Sequence, residues 1–225
     1  MNENIKLFNG DCLEVMDKLI ADGVKVDAII TDPPYGTTAC KWDNVIPFDE
    51  MWERLKNLRM DRTPIVLFGS EPFTSLLISS NVKEYKHQWF WNKKQSGSPQ
   101  NAKYLPHQII ENIIVFGDRR VNYYPIMVKG KMRKRGGYKK SSSTMNDFNL
   151  GYENYSDEYY PTALIECVSK RKDRFHPTQK PVALIEYLVK TYTNENDIVL
   201  DFTMGSGSTG VACINTNRKF MGSVS

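Results

Sequence analysis

The stretch Asp197-Ile198-Val199-Leu200-Asp201-Phe202-Thr203-Met204-Gly205-Ser206-Gly207 decides the predicted fold, because an apolar run passes directly into a glycine-rich turn. The apolar run predicts a buried strand, and Val211-Ala212-Cys213 predicts the start of a helix beyond the turn. Glycines let a ligand approach the backbone, and a helix N-terminus offers N–H groups to an anionic group such as a carboxylate. The unit therefore predicts a Rossmann-like nucleotide site, with a plain structural turn as the alternative. No Gly-Lys-Ser/Thr follows, so the pattern is not that of a P-loop.

The rest of the chain alternates between strand and helix patterns. Apolar runs predict strands, and apolar residues at helical spacing predict the helices between them. The predicted strands are 5–8, 26–31, 64–69 and 109–116, with strand character also in the aromatic-rich 85–91. The predicted helices cover 13–20, 51–58, 72–79 and 182–192. This alternation predicts an α/β domain with a mainly parallel sheet.

The motif Asp32-Pro33-Pro34-Tyr35 follows the strand predicted for 26–31. The prolines have a fixed φ and no backbone donor, so the chain leaves the sheet stiffly and their carbonyls stay free to accept hydrogen bonds. Such a loop suits a planar substrate that carries an amino group. Asp32 and the Pro33 carbonyl can accept its two N–H bonds while Tyr35 stacks on its face. An ordinary turn at the end of a strand is the alternative.

The composition is that of a soluble globular protein with one domain, or one domain with an insertion. The chain has 225 residues, 40% of them hydrophobic and 25% charged, and no apolar run approaches the ~20 residues that span a bilayer. Residues 1–4 lack the basic region and apolar stretch of a secretory signal, so we expect an intracellular protein. The four cysteines form no C-x-x-C pair and the chain has three histidines, so we expect reduced thiols and no metal.

The composition changes in the stretch 118–170, which interrupts the alternating pattern. Residues 129–140 contain basic residues, glycines and a tyrosine but no acidic residue, which suits contacts with nucleic-acid phosphates and stacking on bases or sugars. The polar loop 92–101 could face the same partner. A solvated loop is the alternative. The basic residues expected at this interface are Lys93, Lys94, Lys129, Lys131, Arg133, Lys134, Arg135, Lys139 and Lys140.

Three motifs taken together resemble the amino-methylating DNA methyltransferases. They are Asp32-Pro33-Pro34-Tyr35, His176-Pro177-Thr178-Gln179-Lys180-Pro181 and the segment 201–210. Their order, with the catalytic motif first and the cofactor glycines last, resembles the β group of that family over essentially the whole chain. The resemblance implies a Rossmann-like methyltransferase fold with a mainly parallel sheet, helices on both faces and an inserted target-recognition region.

The resemblance also implies S-adenosylmethionine as the cofactor and double-stranded DNA as the partner. The residues that match the catalytic motif are Asp32, Pro33, Pro34 and Tyr35. The residues that match the family's cofactor contacts are Asp11, Cys12, His176, Thr178, Lys180, Asp201, Phe202, Gly205 and Gly207. Asp11 fits the N-cap of the helix that follows it equally well, so both roles stay open.

The reaction implied by the resemblance is methyl transfer to the exocyclic amine of a flipped-out base. That amine is a poor nucleophile because its lone pair is delocalised into the ring. Two acceptors, Asp32 and the Pro33 carbonyl, favour a pyramidal nitrogen, so positioning and electrostatics suffice without a covalent enzyme intermediate. A paired base must leave the duplex to reach the loop, and Tyr35 can stack on it. In this family D-P-P-Y is more associated with adenine and S-P-P-Y with cytosine, so we expect adenine, with the cytosine amine as the alternative.

The expected organisation has 1–117 as the catalytic part, 118–170 as the target-recognition region and 171–225 as the cofactor-binding part of the same domain. We expect a monomer or homodimer in the cytoplasm of a prokaryotic or phage-infected cell.

The chain departs from the family pattern near residue 224. The family usually has F-x-G-I-E, whose acidic residue binds the cofactor ribose, whereas this chain has Phe220-Met221-Gly222-Ser223-Val224. Losing a hydrogen bond to a charged acceptor costs roughly 1.5–3 kcal/mol. A DNA-binding protein with a degenerate cofactor site is therefore a second alternative.

Overall fold

The structure is a computed structural model that describes residues 4–37, 43–95, 102–135, 154–168 and 179–224, with the backbone alone for residues 134, 135 and 154. The chain forms two compact units. The larger combines Met1–Tyr124 with Ala163–Ser225, and the smaller is Pro125–Thr162.

Strands and helices alternate through most of the larger unit, as the sequence predicts. In chain order the strands are β1 (Ile5–Asn9), β2 (Ala28–Thr31), β3 (Ile65–Gly69), β4 (Tyr85–Asn92), β5 (Ile110–Phe116), β6 (Val128–Arg135), β7 (Asn154–Tyr159), β8 (Leu164–Glu166), β9 (Ile198–Asp201) and β10 (Lys219–Val224). The helices are α1 (Cys12–Ala21), α2 (Phe48–Leu58), α3 (Phe73–Ser80), α4 (Val182–Tyr192) and α5 (Ser208–Asn215). Only β6 and β7, among the described strands, belong to the smaller unit.

The larger unit is built on one sheet with the strand order β1-β10-β9-β2-β3-β5-β4-β8. Its pairings are parallel except that β5 runs antiparallel to both β3 and β4. From β9 the chain passes through α5 to β10 on one side, and from β2 it passes through α2 to β3 on the other. The loops after β9 and β2 therefore diverge at a topological switch point, which is where open α/β sheets bind ligands.

Both faces of the sheet are covered, which explains why its central strands are continuously apolar. In β3, Ile65 and Leu67 pack in a core to which α1, α2 and α3 contribute. Val66 and Phe68 point to the opposite face and pack in a second core with residues of α4 and α5. The predicted α/β class, with a mainly parallel sheet and helices on both faces, is confirmed.

The smaller unit contains an antiparallel pair of strands, β6 and β7, whose register shifts between Lys129 and Arg133. The described side chains of β6, from Val128 to Arg133, are all exposed. A strand with no buried face has no alternation of apolar and polar residues, which is why the sequence pattern does not predict β6. Arg133 lies over the ring of Tyr159 at 4.0 Å, and the Tyr159 hydroxyl donates to the Lys131 carbonyl at 2.6 Å. Packing within the pair thus places Tyr159 of β7 against the basic strand β6.

The compact smaller unit, Pro125–Thr162, is shorter than the target-recognition region predicted for 118–170, and that predicted region stays a prediction. Residues before 125 stay with the larger unit because Tyr124 N donates to the Thr191 carbonyl of α4 at 2.7 Å. Residues after 162 return to it because β8 pairs with β4. That the smaller unit reads DNA sequence stays a prediction.

Candidate active site

The candidate site lies at the switch point, where Asp32 directly follows β2. Asp32 Oδ1 accepts a hydrogen bond from the Tyr35 hydroxyl at 2.6 Å, and Oδ2 lies 2.8 Å from the ammonium nitrogen of Lys180. The Asp32 side chain keeps 33% of its surface exposed, whereas that of Lys180 keeps 11%. The structure therefore brings together Asp32 and Tyr35 of the predicted catalytic motif with Lys180 of the predicted cofactor set.

A second carboxylate, that of Glu111, completes this cluster. Glu111 Oε1 lies 2.5 Å from the Lys180 nitrogen and 3.4 Å from the Tyr35 hydroxyl, while Oε2 lies 3.4 Å from the nitrogen of Lys93. Glu111 stands near the start of β5, and β5 runs antiparallel to β3. The start of β5 therefore lies at the edge of the sheet where β3 ends, which is also the carboxyl edge of β2.

The partners of this cluster shift the pKa of its members. Burial raises the pKa of the Asp32 carboxyl, the charge of Glu111 adds to that rise, and Lys180 opposes it. Burial and the Asp32 charge raise the pKa of Tyr35 well above its ordinary value, so its hydroxyl stays protonated and donates. Burial lowers the pKa of Lys180, but Asp32 and Glu111 outweigh burial and raise it. The site thus contains a charged ammonium between two carboxyl groups.

The loop after β2 is held by the carboxylate of Asp43. Asp43 Oδ1 accepts from the backbone N–H groups of Tyr35 at 2.8 Å and Gly36 at 2.9 Å, and Oδ2 accepts from Thr37 N at 2.9 Å. Hydrogen bonds to a charged acceptor are stronger than neutral ones, so this carboxylate fixes the turn. Gly36 has φ +69° and lies where a Cβ would be 2.8 Å from a methyl of Val45, so glycine suits the turn sterically.

The aromatic ring of Tyr35 packs against the helix that follows β3. It stacks on Phe73 with ring centroids 5.0 Å apart and an interplanar angle of 29°. One face of the Tyr35 ring is therefore covered by protein, and its stacking on a base stays a prediction. Of the two prolines in the motif, Pro33 is buried and Pro34 is half-buried.

Hydrogen bonds tie the loop after β2 to the loop after β9. The Thr31 hydroxyl donates to Asp201 Oδ1 at 2.6 Å and lies 2.6 Å from the Thr203 hydroxyl. The Thr203 hydroxyl in turn donates to the Asp32 carbonyl at 3.2 Å. Hydrogen bonds thus connect the D-P-P-Y loop to the glycine-rich loop across the switch point.

The glycine-rich loop leads from β9 into α5. Gly207 is the N-cap residue of α5 with φ +78°, a conformation that favours glycine. A Cβ at Gly205 would meet no atom within 4 Å, so protein packing does not require glycine there. Phe202 is fully buried in the core. Burial raises the pKa of the Asp201 carboxyl from 3.8 to about 6, against hydrogen bonds from Thr31 and Thr209 that lower it.

The remaining predicted cofactor residues have different outcomes. Asp11 is the N-cap of α1, accepting from Leu13 N at 2.9 Å and Glu14 N at 3.3 Å. Cys12 is the first residue of that helix and is buried, and burial raises the pKa of its thiol to about 11. His176 and Thr178 lie outside the described residues. The cofactor roles of all of these residues stay predictions.

The end of β10 lies beside both the first strand and the glycine-rich loop. Gly10 N donates to the Val224 carbonyl at 2.9 Å, and Met204 N donates to the Ser223 carbonyl at 2.8 Å. Within the part of the chain that the structure describes, the buried Ser223 hydroxyl has no hydrogen-bond partner.

The predicted DNA-binding residues divide into two groups. Lys93 and Lys94 follow β4 and form ion pairs with Glu111 at 3.4 Å and Glu166 at 2.7 Å. The other group is in and near β6, where Lys129, Lys131 and Arg133 are exposed, Lys134 and Arg135 have a described backbone only, and Lys139 and Lys140 lie outside the described residues.

Sequence reasoning missed two functional candidates, Glu111 and Asp43. Glu111 interrupts the apolar run 109–116, and a lone carboxylate in a buried strand is a signal that the sequence does contain. Asp43 lies in a loop, and no local pattern points to its contacts. Across the described residues, no group of three or more His, Cys, Asp or Glu side chains could hold a metal ion, and no helix is long and apolar enough to cross a membrane.

The sheet order, the glycine-rich loop at the switch point and the adjacent Asp32 define a Rossmann-like α/β protein with a candidate ligand site at that switch point. The family model described as DNA methylase matches residues 26–224, and the chain belongs to that N6/N4 DNA methylase family. The family predicted from the sequence is confirmed.

Curated relatives include methyltransferases of bacterial origin. The type II methyltransferase M.HpaI of Haemophilus parainfluenzae is 26% identical over 213 residues, covering 88% of this chain and 63% of the relative. The chain therefore spans less than two thirds of that relative. The DNA adenine methyltransferase YhdJ of Escherichia coli strain K12 is 28% identical over 98% of this chain and 78% of the relative.

Solved structures share the fold. The M1.HpyAVI complex with SAM is 26% identical, with a TM-score of 0.66 over 98% of this chain and 94% of that chain. The cytosine-N4-specific PvuII DNA methyltransferase is 13% identical, with a TM-score of 0.67 over 99% of this chain and 82% of that chain, a likeness in fold alone. The M1.HpyAVI structure contains S-adenosylmethionine, the cofactor that the sequence predicts for this chain.

Proposed function

We propose that this protein transfers a methyl group from S-adenosylmethionine to the exocyclic amine of adenine in DNA. The observation that carries the proposal is the hydrogen-bonded link between the two loops, from Asp201 through Thr31 and Thr203 to the Asp32 carbonyl. This link joins the backbone of Asp32 to the glycine-rich loop at the switch point of the sheet, and it supports Asp32 as the acceptor of the amine. Family membership supports methyl transfer as the reaction.

The residues of the site suit S-adenosylmethionine. The open side of Gly205 leaves room for a ligand against the backbone, and α5 begins at Gly207 with a helix N-terminus that favours a carboxylate. When bound, this cofactor supplies an electrophilic methyl on a sulfonium.

Asp32 is the residue of this chain that binds the reacting amine and accepts its proton. Its carboxylate and the Pro33 carbonyl accept the two N–H bonds of the amine and hold the nitrogen lone pair toward the methyl group. The new N–C bond forms as the S–C bond breaks, which leaves S-adenosylhomocysteine, and the proton that the amine loses goes to Asp32. The raised pKa of Asp32 suits that step because it makes the carboxylate a better proton acceptor.

Adenine is favoured over cytosine by the residue at position 32. The D-P-P-Y form of the motif is the one more associated with adenine, and the relative YhdJ is an adenine methyltransferase at 28% identity. The cytosine-specific PvuII enzyme supports the alternative, but its likeness is one of fold at 13% identity.

DNA contact is proposed for the exposed basic residues of β6. Lys129, Lys131 and Arg133 lie on a strand whose described side chains are exposed, and cations in this setting bind phosphates with release of counterions. Since a paired base cannot reach Asp32, the target must be flipped out of the duplex.

The test is methyl transfer from labelled S-adenosylmethionine to unmethylated bacterial DNA, followed by mass spectrometry of the nucleosides. We expect N6-methyladenine. N4-methylcytosine would support the alternative substrate. DNA binding without measurable cofactor binding or transfer would contradict the proposal and support a DNA-binding protein with a degenerate cofactor site, the alternative raised by Val224.

A further inference from the structure

Each oxygen of Asp32 already accepts from a donor in this structure, so the target amine of the proposed reaction has to compete with these donors for the carboxylate. Oδ1 accepts from the Tyr35 hydroxyl at 2.6 Å, and Oδ2 lies 2.8 Å from the Lys180 nitrogen. A buried donor that loses its acceptor costs the full desolvation penalty, so neither donor can leave Asp32 without a second acceptor. The site therefore has to provide one.

Glu111 is that second acceptor for both donors. Its Oε1 lies 2.5 Å from the Lys180 nitrogen and 3.4 Å from the Tyr35 hydroxyl, so the same two donors bridge the two carboxylates. On its other side, Oε2 lies 3.4 Å from the Lys93 nitrogen, so a second cation pairs with this carboxylate. Glu111 keeps only 10% of its side-chain surface exposed, so water is a poor substitute for it.

We propose that Glu111 is a positioning residue that takes over Lys180 and Tyr35 when the target amine binds, which frees Asp32 to accept the amine. This inference rests on the proposed function. It explains why a carboxylate interrupts the otherwise apolar strand β5, where an unpaired charge would be strongly destabilising. The exchange leaves every buried donor with an acceptor throughout.

The charge balance of the cluster supports the exchange. The groups that face Asp32 are Lys180 before α4, Glu111 on β5, Tyr35 in its own loop and Asp201 at the end of β9, while Lys93 faces Glu111. Lys180 and Lys93 offset part of the negative charge of the three carboxyl groups. As positive charge develops on the amine, both carboxylates stabilise it, and Lys180 does not have to leave the site.

The variant that tests the proposal is Glu111→Gln, which keeps the shape of the side chain and removes its charge. The glutamine oxygen is a neutral and weaker acceptor, so Lys180 pairs more strongly with Asp32 and the amine displaces it at a higher cost. We expect kcat/KM on the pH plateau to fall roughly 10- to 100-fold, with the Kd for S-adenosylmethionine changed by less than about 3-fold. The charge of Glu111 raises the pKa of Asp32, so the acid limb of the pH profile should move to lower pH in the variant.

The matched control is Glu84→Gln. Glu84 is similarly shielded, with 15% of its side-chain surface exposed, and pairs with Arg59 at 2.8 Å just before β4. Its loss can lower stability but should leave the acid limb where it is. If Glu111→Gln does not fold, Glu111→Gln combined with Lys93→Gln restores the charge balance and should show the same lower plateau and shifted limb.

The outcomes separate this proposal from the proposed function. An unchanged plateau and acid limb in the folded variant would overturn the role of Glu111 while the wild type still methylates DNA. To read the coupling without activity, the titration of Asp32 can be followed by carbon-13 NMR in the wild type and the variant. Absence of a downward shift in the pKa of Asp32 would overturn the proposal, whereas a downward shift in a protein without methyl transfer would leave the coupling standing and remove the proposed function.

Discussion

Charged side chains cluster both at the loop after β2 and on the strand β6, but they are shielded and paired at the loop and exposed to solvent on β6. At this loop, the ammonium of Lys180, which precedes α4, contacts Asp32 and Glu111 within 2.8 Å, and its side chain keeps 11% of its surface exposed. On β6, Lys129, Lys131 and Arg133 are exposed to solvent, and Arg133 rests on an aromatic ring. One region satisfies its charges internally, and the other presents them outward.

This difference indicates separate roles in the proposed reaction, with catalysis at the loop after β2 and DNA binding on β6. Catalysis by positioning needs groups whose directions are fixed before the substrate arrives, and a closed network of ion pairs fixes them. Binding of a phosphate backbone needs accessible cations, and their energy comes from counterion release rather than from fixed directions. Substitutions in the two regions should therefore differ in size and in kind.

The largest effect should follow from Asp32→Ala. It removes the acceptor on which the reaction depends, so we expect kcat to fall roughly 10³-fold, the scale of losing a preorganised electrostatic group. Asp61→Ala, in an exposed turn of the same unit, is the control and should keep its activity. Single-turnover methyl transfer measures both, and more than about a tenth of the wild-type rate in Asp32→Ala would break the comparison.

Asp201→Asn should change how stability depends on pH. The folded-state pKa of Asp201 is raised to about 6 from 3.8, so its contribution to stability is fully present below 3.8 and is lost as the pH rises through 6. Asparagine can still accept from Thr31 and does not ionise. The difference in the free energy of unfolding, variant minus wild type, should therefore increase by up to about 3 kcal/mol between pH 4 and pH 8. Urea unfolding measures this, and a difference independent of pH would contradict it.

Asp43→Ala should loosen the catalytic loop without removing any proposed reacting group. It deprives the backbone N–H groups of Tyr35, Gly36 and Thr37 of their charged acceptor, so we expect the free energy of unfolding to fall by about 2 kcal/mol. Asp43→Asn retains oxygen and should lose less. Thermal and urea unfolding report the loss, and equal stability of Asp43→Ala and the wild type would show that water replaces the carboxylate.

The smallest effect should come from Lys131→Gln on β6. If its ammonium contacts one phosphate, the slope of log K against log salt concentration should fall in magnitude by about 0.9, with kcat at saturating DNA unchanged. Lys190→Gln on α4 removes the same charge from an exposed position in the other unit and serves as the control. Equal slopes in the two variants would show that β6 does not carry the DNA contacts.

Much of the fold follows from local patterns in the sequence. The apolar runs at 26–31 and 197–202 predict the two strands that meet at the switch point, and the motifs that follow them predict the loops of the site. The resemblance to DNA methyltransferases predicts the family that the family model confirms. These features are local because each depends on one strand and the turn beside it.

The missed features depend on contacts between distant parts of the chain. Glu111 meets Asp32 and Lys180 only because β5 runs antiparallel beside β3, and no sequence pattern gives that strand order. The return of β8 to the main sheet, within the stretch 118–170, is a pairing of the same kind. Which strands pair depends on how the whole chain buries its apolar residues, and a short stretch of sequence carries no information about that.

The central claim is that Asp32 accepts the exocyclic amine of a base beside the cofactor loop. The most direct test is a crystal structure with S-adenosylhomocysteine and a duplex that contains a methylation site mapped by sequencing. We predict a flipped adenine whose amine nitrogen lies about 2.7–3.2 Å from an Asp32 carboxylate oxygen, with the Lys180 ammonium held by Glu111 and no longer in contact with Asp32. A bound duplex with its base held away from Asp32, and Lys180 still on that carboxylate, would contradict the account.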